Sequence, residues 1–109
     1  MTPEDDAPAG AATRVRIDKW LWAARFYRTR TLACDAIESG QVRVDGERVK
    51  PSRGVKAGDR VTVRKGGMAW EVEVAALAER RGSAAEAARL YREDAASVAA
   101  REQEVARRK

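Results

Sequence analysis

The chain has 109 residues, 44% of them hydrophobic and 36% charged, with a net charge of +5, which suits one small soluble domain with a heavily charged surface. No apolar run approaches the roughly 20 residues of a membrane span, and the acidic start Met1-Thr2-Pro3-Glu4-Asp5-Asp6 has neither the basic residues nor the apolar stretch of a secretory signal. With one cysteine, Cys34, and no histidine, an internal disulfide and an ordinary zinc site are excluded, a reducing cytoplasmic setting is expected, and no metal or cofactor is called for.

Residues 1–13 are rich in acid, Pro, Gly and Ala and read as a disordered acidic tail. A first helix is predicted over 18–26, capped by Asp18, with Ile17, Trp20, Leu21 and Ala24 on its buried face and Lys19, Trp22 and Phe26 on the other. Tyr27-Arg28 makes a tight connection, and Thr29 is placed to cap a second helix over 30–39. Leu32, Ala33, Ala36 and Ile37 are its expected buried stripe, and Gly40 suits a left-handed C-terminal turn.

The periodicity then shifts from helix to strand. Residues 41–44 alternate polar and apolar, Asp45-Gly46 is a two-residue hairpin turn, and residues 47–50 answer the first strand until Pro51 ends it. Residues 55–59 read as loop and turn, residues 60–64 as a further strand, and Met68, Trp70, Val72 and Val74 as a last one beyond the Gly66-Gly67 turn. From residue 83 the composition is helical, with capping-box spacing in Ser83-Ala84-Ala85-Glu86 and a break near 94–97 where Ser97 would cap a second piece. The expected organisation is therefore a domain over 14–66, an additional strand and linker over 67–82, and a helical extension over 83–109. The class is α+β: a two-helix hairpin packed on a small, mainly antiparallel sheet.

Charge is segregated along this plan: residues 1–13 carry −3, residues 14–66 carry +8, and residues 67–109 are neutral. A positive field confined to one part of the chain is what a polyanion-binding surface requires. Arg14, Arg16 and Lys19 surround the start of the first helix, while Arg25, Arg28 and Arg30 lie around its junction with the second. A helix N-terminus attracts phosphate, and arginines beside it add planar forks that grip phosphate oxygens in pairs. Asp35 and Glu38 are the acids in reach of Arg28 and Arg30, too few to neutralise six cations. In the last third, Arg101 beside Glu102 and Glu104 reads as a charge-balanced helix surface, and Arg107-Arg108-Lys109 as a fraying charged end.

Arg16-Ile17-Asp18, Thr29-Arg30-Thr31-Leu32-Ala33, Ile37-Glu38-Ser39-Gly40-Gln41-Val42-Arg43-Val44-Asp45-Gly46 and Gly58-Asp59 together resemble the S4-type (alpha-L motif) RNA-binding domain over about residues 14–65. The closer pattern Asp18-Lys19-Trp20-Leu21-Trp22-Ala23-Ala24-Arg25-Phe26-Tyr27, with Lys50-Pro51-Ser52 and Glu86-Ala87-Ala88-Arg89-Leu90-Tyr91, resembles the bacterial fifteen-kilodalton ribosome-associated heat-shock protein family. That resemblance implies binding to ribosomal RNA of free large subunits that still hold a nascent chain on tRNA, in rescue or recycling. Peptidyl-tRNA is a further implied partner; no membrane partner is expected, and the chain is expected to be a monomer. The candidate RNA-binding residues are Arg14, Arg16, Lys19, Arg25, Arg28, Thr29, Arg30, Arg43, Lys50, Ser52, Arg53 and Lys56.

No catalytic constellation stands out, and an enzyme is not expected. Asp18 reads as a cap and an arginine tether rather than an acid catalyst, and Cys34 as a core filler without a histidine to activate it. Trp22 and Phe26 are expected to lie under the C-terminal helix rather than to stack on RNA bases. Two other functions compete: the detached RNA-recruiting module of an RNA-modifying enzyme, for which the segment after the motif offers no catalytic pattern, and a DNA-binding protein. The second helix disfavours the latter, since it exposes Thr31, Asp35 and Glu38 where a recognition helix would carry base-reading residues.

Overall fold

The computed structural model describes residues 14–108; the acidic tail predicted over 1–13 lies outside the described residues, as does Lys109. The chain opens with β1 (Val15–Arg16), α1 (Ile17–Ala23) and α2 (Arg30–Glu38), then β2 (Val42–Val44), β3 (Glu47–Arg48), β4 (Gly54–Val55), β5 (Arg60–Lys65) and β6 (Met68–Val74). It ends with α3 (Ala84–Ala88), β7 (Tyr91–Glu93) and α4 (Ala95–Arg108). The expected α+β plan is present, with a helix hairpin against a five-stranded sheet of order β3-β2-β5-β6-β7, antiparallel throughout, and a separate β1-β4 pair.

Both helices of the hairpin end in the same way. Arg25 N–H donates to the Trp22 carbonyl (3.1 Å) and Phe26 N–H to the Leu21 carbonyl (3.0 Å), while Gly40 N–H donates to Ile37 (3.1 Å) and Gln41 N–H to Ala36 (2.9 Å). These pairs close a Schellman motif, which demands a left-handed residue just past each helix. Gly40 meets that demand at φ +83°, whereas Arg25 adopts φ +66° with a Cβ that disfavours it. The first helix therefore stops at Ala23, short of the predicted residue 26. Phe26, expected on an outward face, turns instead into the core against Trp20, Trp70 and Tyr91 (ring centroids 6.2, 6.4 and 4.9 Å away). Strands β6 and β7 thus supply the aromatic cover that was expected from the C-terminal helix, and Trp22 is half-buried at the edge of the same core.

The sheet presents Val42, Val44, Val61, Val63, Val72 and Val74 to the helices, all fully buried or nearly so, which is the alternation read from the sequence. Asp45 (φ +51°) and Gly46 (φ +81°) form the left-handed pair of the hairpin turn between β2 and β3. In α2, Ala33, Ala36 and Ile37 form the buried stripe, but Leu32 leaves it and is 49% exposed.

The C-terminal third departs most from expectation, because β7 interrupts it. Tyr91–Glu93 pairs with Val72–Val74, and the chain then turns into α4 alongside the rest of β6. Ser97 is the buried third residue of α4 and not its cap: its hydroxyl donates to Glu93 Oε2 (2.6 Å) and accepts from the backbone N–H of Glu71 (3.0 Å). That bond satisfies a donor on the stretch of β6 beyond β7, where an open strand edge would invite pairing with another chain.

Candidate nucleic-acid interface

Asp18 organises the basic end of the molecule. Its side chain is 2% exposed and lies in the first turn of α1. It does not cap the helix as predicted, because the loop after β3 already satisfies the first backbone donors: Ile17 N–H donates to the Arg53 carbonyl (2.7 Å) and Asp18 N–H to Pro51 (3.3 Å). The carboxylate is thereby free to accept from Arg16 Nε and Nη2 (both 3.1 Å), Arg30 Nη2 (3.4 Å), the Cys34 thiol (3.3 Å) and Lys19 N–H (2.7 Å).

Burial pushes the Asp18 carboxyl up, but the bonds from Arg16, Cys34 and Lys19 N–H outweigh it and hold the group below the usual aspartate range. Burial, and then the hydrogen bond to and charge of Asp18, push the Cys34 thiol up against the opposing pull of Arg16 and Arg30, so it stays protonated and donates. One buried negative charge thus faces two guanidiniums whose side chains remain 52% and 43% exposed. The carboxylate fixes their inner edges and leaves a net positive charge toward solvent. Arg30 pairs with this acid and not with Asp35 or Glu38, the partners the sequence offered.

Backbone pairing brings further cations to this end. Register pairs of Val15 with Val55 and Arg16 with Gly54 set the loop carrying Lys50, Ser52 and Arg53 against the start of α1, and all three side chains are exposed. An added Cβ on Gly54 would sit 3.4 Å from the Arg14 side chain, which shows how closely that arginine lies over β4. Thr29 accepts Leu32 N–H (3.1 Å) as the predicted cap and orients the first turn of α2, where Arg30 begins. Arg14, Arg16, Arg30, Lys50, Ser52 and Arg53 therefore share one region.

Other candidates are placed elsewhere or already engaged. Arg43 lies on the sheet face opposite Val42 and Val44, in register with Arg48 and Thr62, away from the Asp18 cluster. Arg25 donates twice to the Gly82 carbonyl (3.1 and 2.7 Å), and Lys19 lies 3.8 Å from Glu79. Lys56 pairs with the buried Asp59 at 3.0 Å. Burial raises the Asp59 carboxyl, and the side-chain and backbone bonds from Lys56 bring it below its usual range, so Gly58-Asp59 serves here to shape the turn into β5. Arg28 is exposed beside α2, near Lys65. Sequence patterning does not single out Lys65, which donates to the Phe26 carbonyl (2.8 Å) and lies 5.2 Å over the Tyr27 ring. Strand alternation marks it as inward-facing, and only the fold shows that inward here means toward Tyr27.

The signature of the S4 domain family matches residues 15–61. Heat shock protein 15 of Escherichia coli K12 is 50% identical over 98 residues, covering 90% of this chain and 74% of that protein. The structure of Vibrio cholerae heat shock protein 15, described as trimeric, superposes with a TM-score of 0.84 at 44% identity, covering 88% of this chain and 97% of that one. The RQC P-site tRNA stabilizing factor of Listeria innocua is 40% identical over 55 residues, half of this chain and 60% of that protein.

Fold and family match together define an RNA-binding protein of the S4-domain class. At half identity over nine-tenths of its length, the chain belongs to the heat shock protein 15 family.

One mutational contrast tests the placement of the interface. Arg30→Ala is expected to weaken binding to a structured ribosomal RNA fragment by about 1.5–3 kcal/mol, the range of a charge-assisted contact, with the fold retained because Arg16, Cys34 and Lys19 N–H still hold Asp18. Arg101 is no surface control: it pairs with Glu93 and lies 4.9 Å over the Trp70 ring. Arg92, 74% exposed and paired with Glu73, serves instead, and Arg92→Ala should change affinity by no more than about 0.5 kcal/mol. Equal losses in a filter-binding titration would move the interface away from Asp18.

Proposed function

We propose that the chain binds ribosomal RNA of the large ribosomal subunit, preferentially on subunits still carrying a nascent chain on tRNA, and acts there in rescue or recycling. The observation that carries this reading is the pair of arginines held side by side on the buried Asp18, on a chain of the heat shock protein 15 family. A rigid pair of forks suits the fixed phosphate spacing of folded RNA better than a flexible single strand. The Arg14, Arg16, Arg30, Lys50, Ser52 and Arg53 region is the proposed primary contact, with Arg28 at its flank. Arg43, on the far face of the sheet, is left for a separate RNA segment. A relative named for stabilising P-site tRNA supports contact with peptidyl-tRNA as well. The protein acts by occupying a site and stabilising a state, in the cytoplasm where ribosomes work.

Sucrose-gradient sedimentation with purified subunits tests this. The protein should co-migrate with large subunits, more so when they hold a trapped peptidyl-tRNA, and be depleted from small subunits and intact ribosomes. One copy per large subunit is expected, although the Vibrio cholerae relative is described as trimeric. Equal co-migration with both subunits would reduce the reading to general RNA binding.

A further inference from the structure

A groove of about 530 Å³ runs beside α2, and its walls combine features that the Asp18 region does not use. Leu32 forms an apolar wall and is 49% exposed, beside the buried Ala33 and Ala36 of the same helix. Arg28 and Lys65 bring positive charge to the same groove. Asp35 stands one turn beyond Leu32 on the same side of the helix, exposed and without an ion pair among the described residues. Tyr27 also lines the groove, and its buried hydroxyl makes no hydrogen bond within the protein.

We propose that this groove receives one unstacked guanine base of the bound RNA, an inference that rests on the RNA-binding reading above. Single-stranded or bulged bases are recognised by stacking on aromatic rings or on the planes of arginine guanidiniums while their edges are read by polar groups. Arg28 supplies the guanidinium plane, Leu32 an apolar wall beside it, and Lys65 a cation for a flanking phosphate. The acid decides which base. A carboxylate repels phosphate, so what Asp35 matches in this cationic setting is a ligand group that offers it N–H donors. Guanine presents two adjacent donors, N1–H and the 2-amino group, which a carboxylate can accept together. Adenine and cytosine each pair one donor with an acceptor on that edge, and uracil offers one N–H between two carbonyls. Gln41, also in the groove, carries an amide N–H suited to the guanine O6.

The test uses the full chain and four stem–loop RNAs: fully paired, or with a single bulged guanosine, inosine or adenosine. Bulged guanosine should bind on the order of tenfold more tightly than the paired stem, and inosine, which lacks only the 2-amino group, should lose most of that gain. Leu32→Gln and Asp35→Asn should each abolish the preference for guanosine while the paired stem still binds. Both positions are exposed, and the inosine substitution leaves the protein untouched, so misfolding cannot imitate the result. Equal affinity for guanosine and inosine bulges, with stem binding intact, would overturn the groove alone. Failure to bind any of the four RNAs would overturn the RNA-binding reading with it.

Discussion

Asp18→Asn is expected to lower the unfolding free energy by about 3 kcal/mol at neutral pH. The carboxylate is 2% exposed and accepts from two arginines, a thiol and a backbone N–H. Removing one partner of a buried ion pair costs about 3–5 kcal/mol. The lower end applies because Arg16 and Arg30 are about half-exposed and regain water when released. For a domain of this size the loss corresponds to a fall of roughly 10–20 °C in Tm. The pH dependence separates this account from a general packing defect. The Asp18 carboxyl is held below its usual range in the folded protein, so its stabilisation is present above the unfolded aspartate value near about 3.9 and is lost as pH falls through the folded one. Urea unfolding of the two proteins should therefore show a gap at neutral pH that narrows in acid. A gap that stays constant down to acid pH would mean the carboxylate charge is not what stabilises the fold. RNA affinity should fall as well, because the forks lose their common anchor.

Legibility in the sequence followed the strength of local signals. The helix hairpin and the three main strands could be read because Thr29, Gly40 and Asp45-Gly46 each determine a backbone conformation locally, and because Val42, Val44, Val61 and Val63 alternate cleanly into the core. Strand β7 could not be read: Tyr91-Arg92-Glu93 has three residues inside an Ala/Arg/Glu-rich run, and it is extended because the free edge of Val72–Val74 stands beside it. The end of α1 was hidden in a similar way. Arg25 gives no hint of a left-handed turn, and what holds it there includes its double hydrogen bond to the distant Gly82 carbonyl.

The site divides along the same line. Arg16 and Arg30 were recognisable as cations near helix starts, but that they meet on one carboxylate depends on a helix-helix contact. Asp18 has the sequence position of a cap, and only the fold shows that the Pro51 and Arg53 carbonyls already occupy the helix donors. Its second expected role, as an arginine tether, is the one the structure displays. Arg43 stands among the candidate RNA-binding residues, and strand alternation sends it to the face opposite Val42 and Val44. Arg101 likewise looked like surface charge until Trp70 and Glu93 were placed around it. Positions whose role depends on a partner far along the chain are the ones that composition and spacing describe least well.

Affinity for structured RNA should fall by roughly two to three orders of magnitude between 50 and 200 mM salt, taking about four to six phosphate contacts at a slope near 0.9 each. The contact number follows from geometry and not from total charge. Arg14, Arg16, Arg30, Lys50 and Arg53 gather around the start of α1, and Arg28 flanks them. Lys56 is paired to Asp59, Arg60 to Asp94, and Arg107 and Arg108 to Glu104, so these cations have partners to release before they displace counterions. The net charge of residues 14–66 is +8, and a diffuse field of that size would give a slope that no single substitution alters much. A localised cluster behaves differently. Arg30→Ala should reduce the slope by about one contact, whereas Arg92→Ala, on a charge-neutral part of the chain, should leave it unchanged. Titration of one ribosomal RNA fragment at several salt concentrations, with the wild-type chain and both variants, gives all three slopes. A flat response would remove the electrostatic basis of the interface. Steep but identical slopes would retain the electrostatics and refute the assignment of the contact to the arginines on Asp18.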